Sequence, residues 1–402
     1  MIKDKKVVES QVCQKLTESA SFAVLATAKR MERSGKEVLH LEIGEPDFSP
    51  PPAVKEAVYK SLEKGETHYT TPQGIRELRE EIARYETEFR GVEIDPDRVI
   101  ITPGAKPIIL FTLLSSIDPG EEILYPDPGY LSYKSLITFV GGVPVPYHLN
   151  KNEGFSLDFD HLSKQINKNT AAIIINSPSN PTGSMLKEEE LKRLLEIARE
   201  RELLIISDEV YSRIIYDNKS HVSIFKFVTE DDKVVLIDSF SKTYAMTGFR
   251  LGYGILPNEL VRPIVKLIQN SFSCVPQFIQ RGGIAAIVNG QEYVKAMVQE
   301  FERRRDRIYE LLKEIDEIQV HKPEGAFYFF PEIRIDIPSA VVFAQYLLEN
   351  FGVALLPGEA FGEQGQKHVR ISFANSLEIL EKAIRRFKEA LVACKKSTIS
   401  MS

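Results

Sequence analysis

Short apolar segments alternate with longer amphipathic segments over most of the chain. The short segments are rich in β-branched residues and predict strands at Val99–Thr102, Glu122–Tyr125, Val143–Tyr147, Ala171–Asn176, Leu203–Ser207, Val234–Asp238 and Leu251–Leu256. Strands that are apolar at successive positions are typical of a parallel sheet covered on both faces. By contrast, segment Lys187–Glu202 places Leu191, Leu194, Leu195 and Ala198 on one helical face. This alternation predicts a doubly wound α/β domain.

The pattern changes near residue 285. Beyond it the sequence predicts a long charged helix, short strands and a last helix, at Val294–Ile315, Ala326–Phe330, His368–Phe373 and Leu377–Val392. The start of the chain leads into a Gly-Pro turn, IGEPDF at Ile43–Phe48. We therefore expect a large α/β domain over residues 48–285. A smaller α+β domain would be formed by both chain ends, residues 1–47 and 286–402.

Composition narrows the class of protein. The chain has 402 residues, of which 43% are hydrophobic, so it can bury a sizeable core. The net charge is −6, whereas proteins that wrap nucleic acids normally carry a basic excess, so no nucleic-acid partner is expected. The histidines show no zinc-binding spacing, and no metal site is predicted.

The same composition indicates a compartment. Cys13, Cys274 and Cys394 are far apart and form no CxxC pair, which favours free thiols in a reducing environment. The first residues, MIKDKKVVESQ, lack the apolar run of a signal peptide. No apolar run approaches the ~20 residues that span a bilayer. A cytoplasmic protein without membrane contact is the expectation.

Polar residues follow several predicted strands directly. PGAKP comes after Val99–Thr102, SPSNPTG after Ala171–Asn176, DEVY after Leu203–Ser207 and SFSK after Val234–Asp238. In open α/β sheets, ligands bind beyond the carboxyl ends of the strands. The glycine turn of PGAKP opens a predicted helix, whose free N–H groups and dipole suit a phosphate. The sequence therefore predicts a cluster of reactive polar residues at one edge of the sheet.

Each of these features also has an ordinary interpretation. Gly104–Lys106 can be a plain strand-to-helix turn, and Asn180–Gly183 a plain loop of turn-forming residues. Asp208 can cap a helix, the commonest role of an aspartate after a strand. Lys242 and Arg370 can be solvated surface side chains. Singly, each ordinary interpretation is favoured; the combination of the motifs in this order argues against them.

The order of the motifs matches a known family. The stretch Ser239–Gly252 reads SFSKTYAMTGFRLG. Other motifs are IGEPDF (Ile43–Phe48), HYTTPQG (His68–Gly74), NSPSNPTG (Asn176–Gly183), SDEVY (Ser207–Tyr211), PEGAFYFF (Pro323–Phe330) and HVRISFA (His368–Ala374). Together they resemble the class I and II aminotransferases, enzymes of fold type I that depend on pyridoxal 5′-phosphate (PLP). That resemblance implies a large domain with a mainly parallel seven-stranded sheet flanked by helices, plus the smaller domain.

The resemblance implies three catalytic residues. Lys242 would form an imine with the PLP aldehyde and, once an amino acid displaces it, act as a general base. Asp208 would face the pyridine nitrogen, where a buried carboxylate favours the protonated, electron-withdrawing ring. Tyr211 and Asn180 would hydrogen-bond the ring 3-oxygen, and Tyr130 would stack on the ring face.

The resemblance also implies phosphate ligands and a dimer. The ligands would be Ser239, Arg250 and the backbone of Gly104, Ala105 and Lys106. Arginine suits this role through its forked, charge-assisted donors. In this family the residue matching Tyr69 reaches the phosphate held by the neighbouring subunit, so a homodimer with shared active sites is implied.

Substrate binding is implied for a second set of residues. Arg370 would clamp the substrate α-carboxylate with help from Asn180, and Gly44 would offer backbone close to the substrate. In HVRISF, apolar residues alternate with polar ones, so the apolar face can pack while Arg370 points the other way. In one subgroup a lysine at the place of Lys106 contacts the distal carboxylate of acidic substrates; a cation near the phosphate is the alternative.

The implied function is transfer of the amino group of an L-amino acid, with acidic or aromatic ones favoured, to a 2-oxo acid such as 2-oxoglutarate. Tyr130 stands where many relatives have Trp, but a Tyr ring can still stack. Pro107-Ile108 stands where relatives often have Gln-Ala, which weakens a substrate assignment drawn from that loop. The alternatives are a carbon–sulfur β-lyase or cyclopropane-carboxylate synthase of the same fold, or a PLP-binding regulatory domain. No basic recognition helix precedes IGEPDF, which disfavours the regulator.

Overall fold

The computed structural model of the protein describes residues 9–16 and 20–396. Most of the segment MIKDKKVVESQ and the last six residues of the predicted small domain lie outside them. The α-helices are Gln11–Gln14, Ala20–Arg33, Pro52–Glu63, Arg76–Arg90, Lys106–Ser116, Ser132–Phe139, Phe159–Gln165, Glu188–Arg201, Phe240–Thr243, Asn258–Gln269, Gln277–Asn289, Gln291–Lys313, Ala340–Phe351 and Leu377–Lys396. Within the described ranges, no helix is both long and apolar enough to cross a bilayer.

One large sheet has eight strands. Their order across the sheet is Val99–Thr102, Gly252–Ile255, Val234–Ser239, Leu204–Asp208, Thr170–Asn176, Glu122–Asp127, Val143–Asn150 and Ser156–Leu157. The five strands from Val234–Ser239 to Val143–Asn150 are parallel to one another. Gly252–Ile255 runs antiparallel to both of its neighbours. The fold class is therefore the predicted one. The edge strand Ser156–Leu157 was not predicted, because two residues give no periodicity to detect.

The apolar runs of the central strands arise because both faces of the sheet are covered. In Thr170–Asn176, Ile173 and Ile175 pack into one hydrophobic core, whereas Ile174 packs into another core on the opposite face. Ile205 and Ile206 of the neighbouring strand divide in the same way. Since successive side chains of a strand point to opposite faces, every position must be apolar when both faces are buried.

The helix predicted at Lys187–Glu202 spans Glu188–Arg201 and buries its leucine face in the first of these cores. Three glutamates lie in its first turn, and Arg199 and Arg201 lie in its last turn. This arrangement complements the helix macrodipole at both ends. The Glu190 carboxylate also accepts the N–H of Lys187 at 2.8 Å, which fixes where the helix starts.

A further hydrophobic core is built mostly from the two chain ends. It contains Leu39 and Leu41 together with residues from Met297 to Cys394. Its short strands are Leu39–His40, Ile318–Gln319, Tyr328–Phe329, Glu332–Ile333, Val353–Ala354, Leu356–Pro357 and Val369–Ser372. Leu39–His40 pairs with Val353–Ala354, so the start of the chain is tied to its last quarter. The domain boundaries at residues 47 and 285 stay a prediction.

Candidate active site

A cavity of about 460 Å³ lies at the carboxyl ends of the parallel strands. Asn176, Asp208 and Ser239 are the last residues of three of these strands, and all three line the cavity. This is the edge of the sheet at which the sequence predicts a polar cluster. A second cavity, of about 360 Å³, lies near Arg199 and Asp232, but these two residues already pair with each other at 2.7 Å.

The structure brings nearly all of the predicted site residues together. The cavity is lined by Gly44, Ala105, Lys106, Tyr130, Asn180, Asp208, Tyr211, Ser239, Lys242, Arg250 and Arg370. Gly104 lies directly behind the lining, against the Arg250 side chain. Tyr69 does not line the cavity; its side chain is 86% exposed in the single chain.

Lys242 lies on the short helix Phe240–Thr243, which begins where the Ser239 hydroxyl accepts the N–H of Ser241 at 3.1 Å. The Lys242 ammonium donates to the carbonyl of Gly44 at 2.5 Å. Burial lowers the pKa of Lys242 to about 8; the Glu45 carboxylate opposes this shift, whereas nearby guanidinium groups reinforce it. Lys242 is therefore not an ordinary solvated lysine, and part of it is the nucleophilic free amine near neutral pH.

Asp208 is 4% exposed and ends a strand without starting a helix, since residues 209–213 contain turns only. The helix-cap interpretation is therefore wrong. Its Oδ2 accepts the hydroxyl of Tyr133 at 2.7 Å, and its Oδ1 accepts the N–H of Val210 at 3.4 Å. Burial raises the pKa of Asp208 to about 6, against the opposing effect of the Tyr133 hydrogen bond. A carboxylate held in this way favours a cationic ligand in the cavity.

Arg370 is 3% exposed, so the surface interpretation is also wrong. Its guanidinium donates to the Asn180 Oδ1 at 3.2 Å and to the Glu42 carbonyl at 2.5 Å. The Tyr328 ring lies against the guanidinium, with 4.5 Å from Cζ to the ring centre. The Arg370 Nε has no hydrogen-bond partner among the described residues. A buried guanidinium that lines a cavity is suited to an anionic ligand such as a carboxylate.

The turn after Val99–Thr102 is shaped by close backbone approach. Gly104 has φ +90°, and a Cβ at this position would collide with the Arg250 guanidinium. A Cβ on Gly252 would lie 2.5 Å from the carbonyl carbon of Gly104. Helix Lys106–Ser116 begins directly after this turn, with Pro107 in its first turn, where proline is well tolerated. The free N–H groups of the helix start and the Arg250 guanidinium thus line a space that these glycines keep open. This space, here called the anion cradle, suits a negatively charged group.

Two further predicted residues form the mouth of the cavity. The exposed Lys106 ammonium lies 5.8 Å from the centre of the Tyr130 ring. The Tyr130 ring meets the Tyr133 ring edge to face at 5.4 Å. A free cation beside an aromatic face can contact either a second carboxylate or a planar apolar group of a ligand.

Sequence reasoning missed several residues of the site. Phe22 and Leu25, from helix Ala20–Arg33, line the cavity, and their helical spacing was an available signal. Glu45 and Tyr328 also line it and lie inside motifs already recognised, IGEPDF and PEGAFYFF. The Tyr133 hydroxyl donates a hydrogen bond to the Asp208 carboxylate, and nothing in the local sequence indicates that contact.

Comparisons with known proteins give one matching family and several similar structures. The family model of aminotransferase class I and II matches residues 36–387. A probable aspartate aminotransferase of Methanocaldococcus jannaschii is 43% identical, over 87% of this chain and 92% of the relative. An alanine aminotransferase structure from Pyrococcus furiosus has a TM-score of 0.92 at 34% identity, covering 96% of this chain and all of that one. An aromatic aminotransferase structure from Pyrococcus horikoshii has a TM-score of 0.87 at 36% identity, covering 92% and 99%.

Proposed function

Because this chain belongs to the class I and II aminotransferases, and is thus a transaminase, we propose that it carries PLP on Lys242 and moves the amino group of an L-amino acid to a 2-oxo acid. One observation carries the proposal: a lysine of lowered pKa shares one cavity with a buried carboxylate, Asp208, and a buried guanidinium, Arg370. When bound, PLP supplies an aldehyde and a ring that stabilises negative charge on the amino acid's α-carbon.

The residues present fit the cofactor. The anion cradle formed by Gly104, Ala105, Lys106 and Arg250, with the Ser239 hydroxyl, would hold the PLP phosphate. Asp208 would pair with the protonated ring nitrogen, the cationic ligand that its raised pKa favours. Tyr211 and Asn180 would hydrogen-bond the ring 3-oxygen, and Tyr130 would pack on the ring face.

Lys242 would move the proton that leaves the α-carbon of the amino acid. A general base works best when its pKa lies near the operating pH, and burial places that of Lys242 at about 8. The free amine can then accept a proton and the ammonium can return it. The Gly44 carbonyl, 2.5 Å from the Lys242 Nζ, would give the lysine a fixed resting position beside the substrate.

The substrate would be held at two points. Arg370 and Asn180 would bind the α-carboxylate; the buried guanidinium, which lines the cavity and donates to the Asn180 Oδ1, supports this role. Lys106 would meet a distal carboxylate, while Phe22 and Leu25 offer an apolar wall to an aromatic side chain. We infer a preference for acidic or aromatic amino acids, with 2-oxoglutarate as an acceptor. Among the relatives, the aspartate and aromatic aminotransferases match this preference by name, whereas the alanine aminotransferase does not.

The proposal is tested by locating the cofactor. Borohydride reduction of the PLP-loaded protein should fix the cofactor on the peptide that contains Lys242. Lys242→Ala should still bind PLP but lose about 10²–10⁴-fold in rate, because the proton carrier is gone. Lys187→Ala, an exposed lysine on another face, is the matched control. A labelled peptide without Lys242 would contradict the assignment. The products separate transfer, which yields a new amino acid, from β-elimination, which yields pyruvate and a thiol.

The substrate preference is tested at Lys106. An ammonium about 4 Å from a carboxylate gains about 4 kcal/mol at an effective dielectric near 20, before the cost of desolvation is subtracted. Even a net gain of about 1.4 kcal/mol is tenfold in specificity. Lys106→Ala should therefore lower kcat/KM for aspartate or glutamate about tenfold more than for phenylalanine. An unchanged ratio of the two constants would remove Lys106 from substrate selection.

We also propose a homodimer with shared active sites. The large exposed fraction of the Tyr69 side chain, in the motif HYTTPQG, supports this arrangement, because a partner subunit can contact it. Variants Tyr69→Phe and Lys242→Ala are each expected to be defective. Mixed dimers of the two should regain one intact site, made from both chains. No recovery on subunit exchange would show that Tyr69 serves its own subunit.

A further inference from the structure

Tyr328 touches three parts of the cavity at once. It is 1% exposed, and its hydroxyl lies 2.8 Å from the hydroxyl of Tyr211. Its ring packs against the Arg370 guanidinium at 4.5 Å. A Cβ on Gly44 would collide with the Tyr328 hydroxyl, so only glycine allows this approach. One buried side chain therefore contacts the residues assigned to the ring oxygen, the substrate carboxylate and the lysine carbonyl.

The strand pairing explains why Tyr328 can hold this position. Tyr328–Phe329 pairs antiparallel with Val369–Ser372, and Tyr328 lies opposite Ser372 in that register. Arg370 is two residues earlier on the same strand, so its side chain and that of Tyr328 lie on the same face at diagonal positions. The contact between Tyr328 and Arg370 is therefore fixed by the strand pairing and needs no movement of a loop.

Tyr216 is a structural counterpart outside the cavity. Its ring packs against the Arg305 guanidinium, also at 4.5 Å, and its buried hydroxyl donates to the carbonyl of Ala326. Tyr216 does not line the cavity. Both tyrosines thus combine a buried hydroxyl bond with a stacked arginine, but only the Tyr328 hydroxyl bonds to a residue of the site.

From these contacts we propose that Tyr328 is a positioning residue of the proposed aminotransferase site, whose hydroxyl donates to Tyr211 and so strengthens the bond from Tyr211 to the 3-oxygen of PLP. The inference rests on the proposed function. A hydroxyl that accepts a hydrogen bond becomes a better donor, because bonds in a chain polarise one another. The Tyr211 hydroxyl lies 2.8 Å from the Tyr328 hydroxyl, and either can donate to the other. With PLP bound, the Tyr211 hydroxyl would donate to the ring oxygen and accept from Tyr328.

This relay has a measurable consequence. With PLP bound, the nitrogen that would join it to Lys242 would share its proton with the ring 3-oxygen. A stronger bond from Tyr211 to that oxygen would weaken this sharing and lower the pKa of the nitrogen. Tyr328→Phe keeps the ring against Arg370 but removes the hydroxyl. The pKa of the linking nitrogen should then rise by about 0.5, as expected for the loss of one hydrogen bond.

The experiment is a spectral pH titration of the PLP-loaded protein, because the absorbance of the bound cofactor changes when the linking nitrogen loses its proton. Wild type, Tyr328→Phe and Tyr216→Phe are compared. Only Tyr328→Phe should shift the titration, with kcat about threefold lower and little change in KM. A shift of equal size in Tyr216→Phe, or none in Tyr328→Phe, would overturn the inference.

A double substitution separates the relay from a general effect on the cavity. In a Tyr211→Phe background, Tyr328→Phe should cause no further change in the titration, because the hydroxyl through which it acts is absent. A further shift of the same size would overturn the relay. If the wild type itself shows no cofactor absorbance band, the proposed function fails. A normal wild-type titration that is identical in Tyr328→Phe removes the inference alone.

Discussion

Asp208 and Glu209 are neighbours in the chain and both are almost fully buried, yet their pKa values are shifted in opposite directions. The pKa of Asp208 is raised by burial to about 6. Burial also pushes the pKa of Glu209 upward, but Arg90 and His221 outweigh it and hold the value at about 2. The two side chains face different surroundings. Asp208 faces the cavity, whereas Glu209 faces a cluster of charged groups behind it.

That cluster is an internal ion network. Arg90 contacts Glu209 at 2.5 Å and lies 2.8 Å from the Glu86 carboxylate. All three residues are buried. His221 adds a contact to Glu209 at 2.7 Å, and Arg213 contacts Glu86 at 2.9 Å. The hydroxyls of Ser207 and Ser223 each donate a hydrogen bond to the Glu209 carboxylate at 2.9 Å.

The comparison shows what separates a structural carboxylate from a functional one. Both glutamates of the network have cationic partners within the chain, so their charges are satisfied when the protein folds. Asp208 has a phenol and an amide N–H as its hydrogen-bond partners. Among the residues that the structure describes, Asp208 forms no ion pair, which is the condition in which a carboxylate binds a cationic ligand. The same residue chemistry thus serves stability at one position and ligand binding at the next.

Glu209→Gln should have the largest effect on stability. The amide leaves the buried Arg90 without its 2.5 Å partner, and breaking a buried pair costs about 3–5 kcal/mol. The free energy of unfolding, from urea titration of the cofactor-free protein, measures this loss. Glu188→Gln, which breaks an exposed pair with Lys192, is the control and should cost less than about 1 kcal/mol.

Lowering the pH should give a second test of the role of Glu209 in stability. The pKa of Glu209 in the folded protein lies below its ordinary value, so its contribution to stability is present above about pH 4.5 and is lost as the pH falls toward 2. The difference in unfolding free energy between wild type and Glu209→Gln should therefore shrink over that range. A difference that is constant with pH would show that the charge of Glu209 is not what stabilises the network.

Asp208→Asn is the matching change on the cavity side and should affect activity instead. Loss of the charge that faces the ring nitrogen should lower kcat by about 10²–10³-fold. The cofactor-free protein should be as stable as wild type or more stable at pH 7, because a raised carboxylate pKa means that ionisation disfavours the fold as the pH rises from about 4 to 6. A stability loss as large as that of Glu209→Gln would erase the distinction between the two positions.

The smallest effect concerns the pH dependence of Lys242. A lysine-selective reagent should label Lys242 of the cofactor-free protein with a rate that reaches half its maximum near pH 8, since burial lowers its pKa to that value. An ordinary lysine has a pKa of about 10.4. Peptide mass spectrometry resolves Lys242 from exposed lysines such as Lys187, which serves as the control. A midpoint above pH 10 would show that the cavity does not activate this amine.

Much of the fold follows from local patterns. The seven predicted strands occur in the large sheet, with ends shifted by at most three residues, because an apolar run between polar turns is a local signal. The helix predicted at Val294–Ile315 likewise spans Gln291–Lys313. The antiparallel direction of Gly252–Ile255 was not predictable in this way. Strand direction depends on which strands become neighbours, and hydrophobic periodicity does not encode it.

The sequence by itself determined which residues could react, because motifs such as SFSK, SDEVY and HVRIS fix residue types at strand ends. Only the tertiary structure decided how each would behave. Asp208 meets Tyr133, 75 positions away, whereas Glu209 meets Arg90, 119 positions away. Arg370 is held by the carbonyl of Glu42, 328 positions away. A pKa and an unused donor depend on burial and on such distant neighbours, and no local sequence pattern records them.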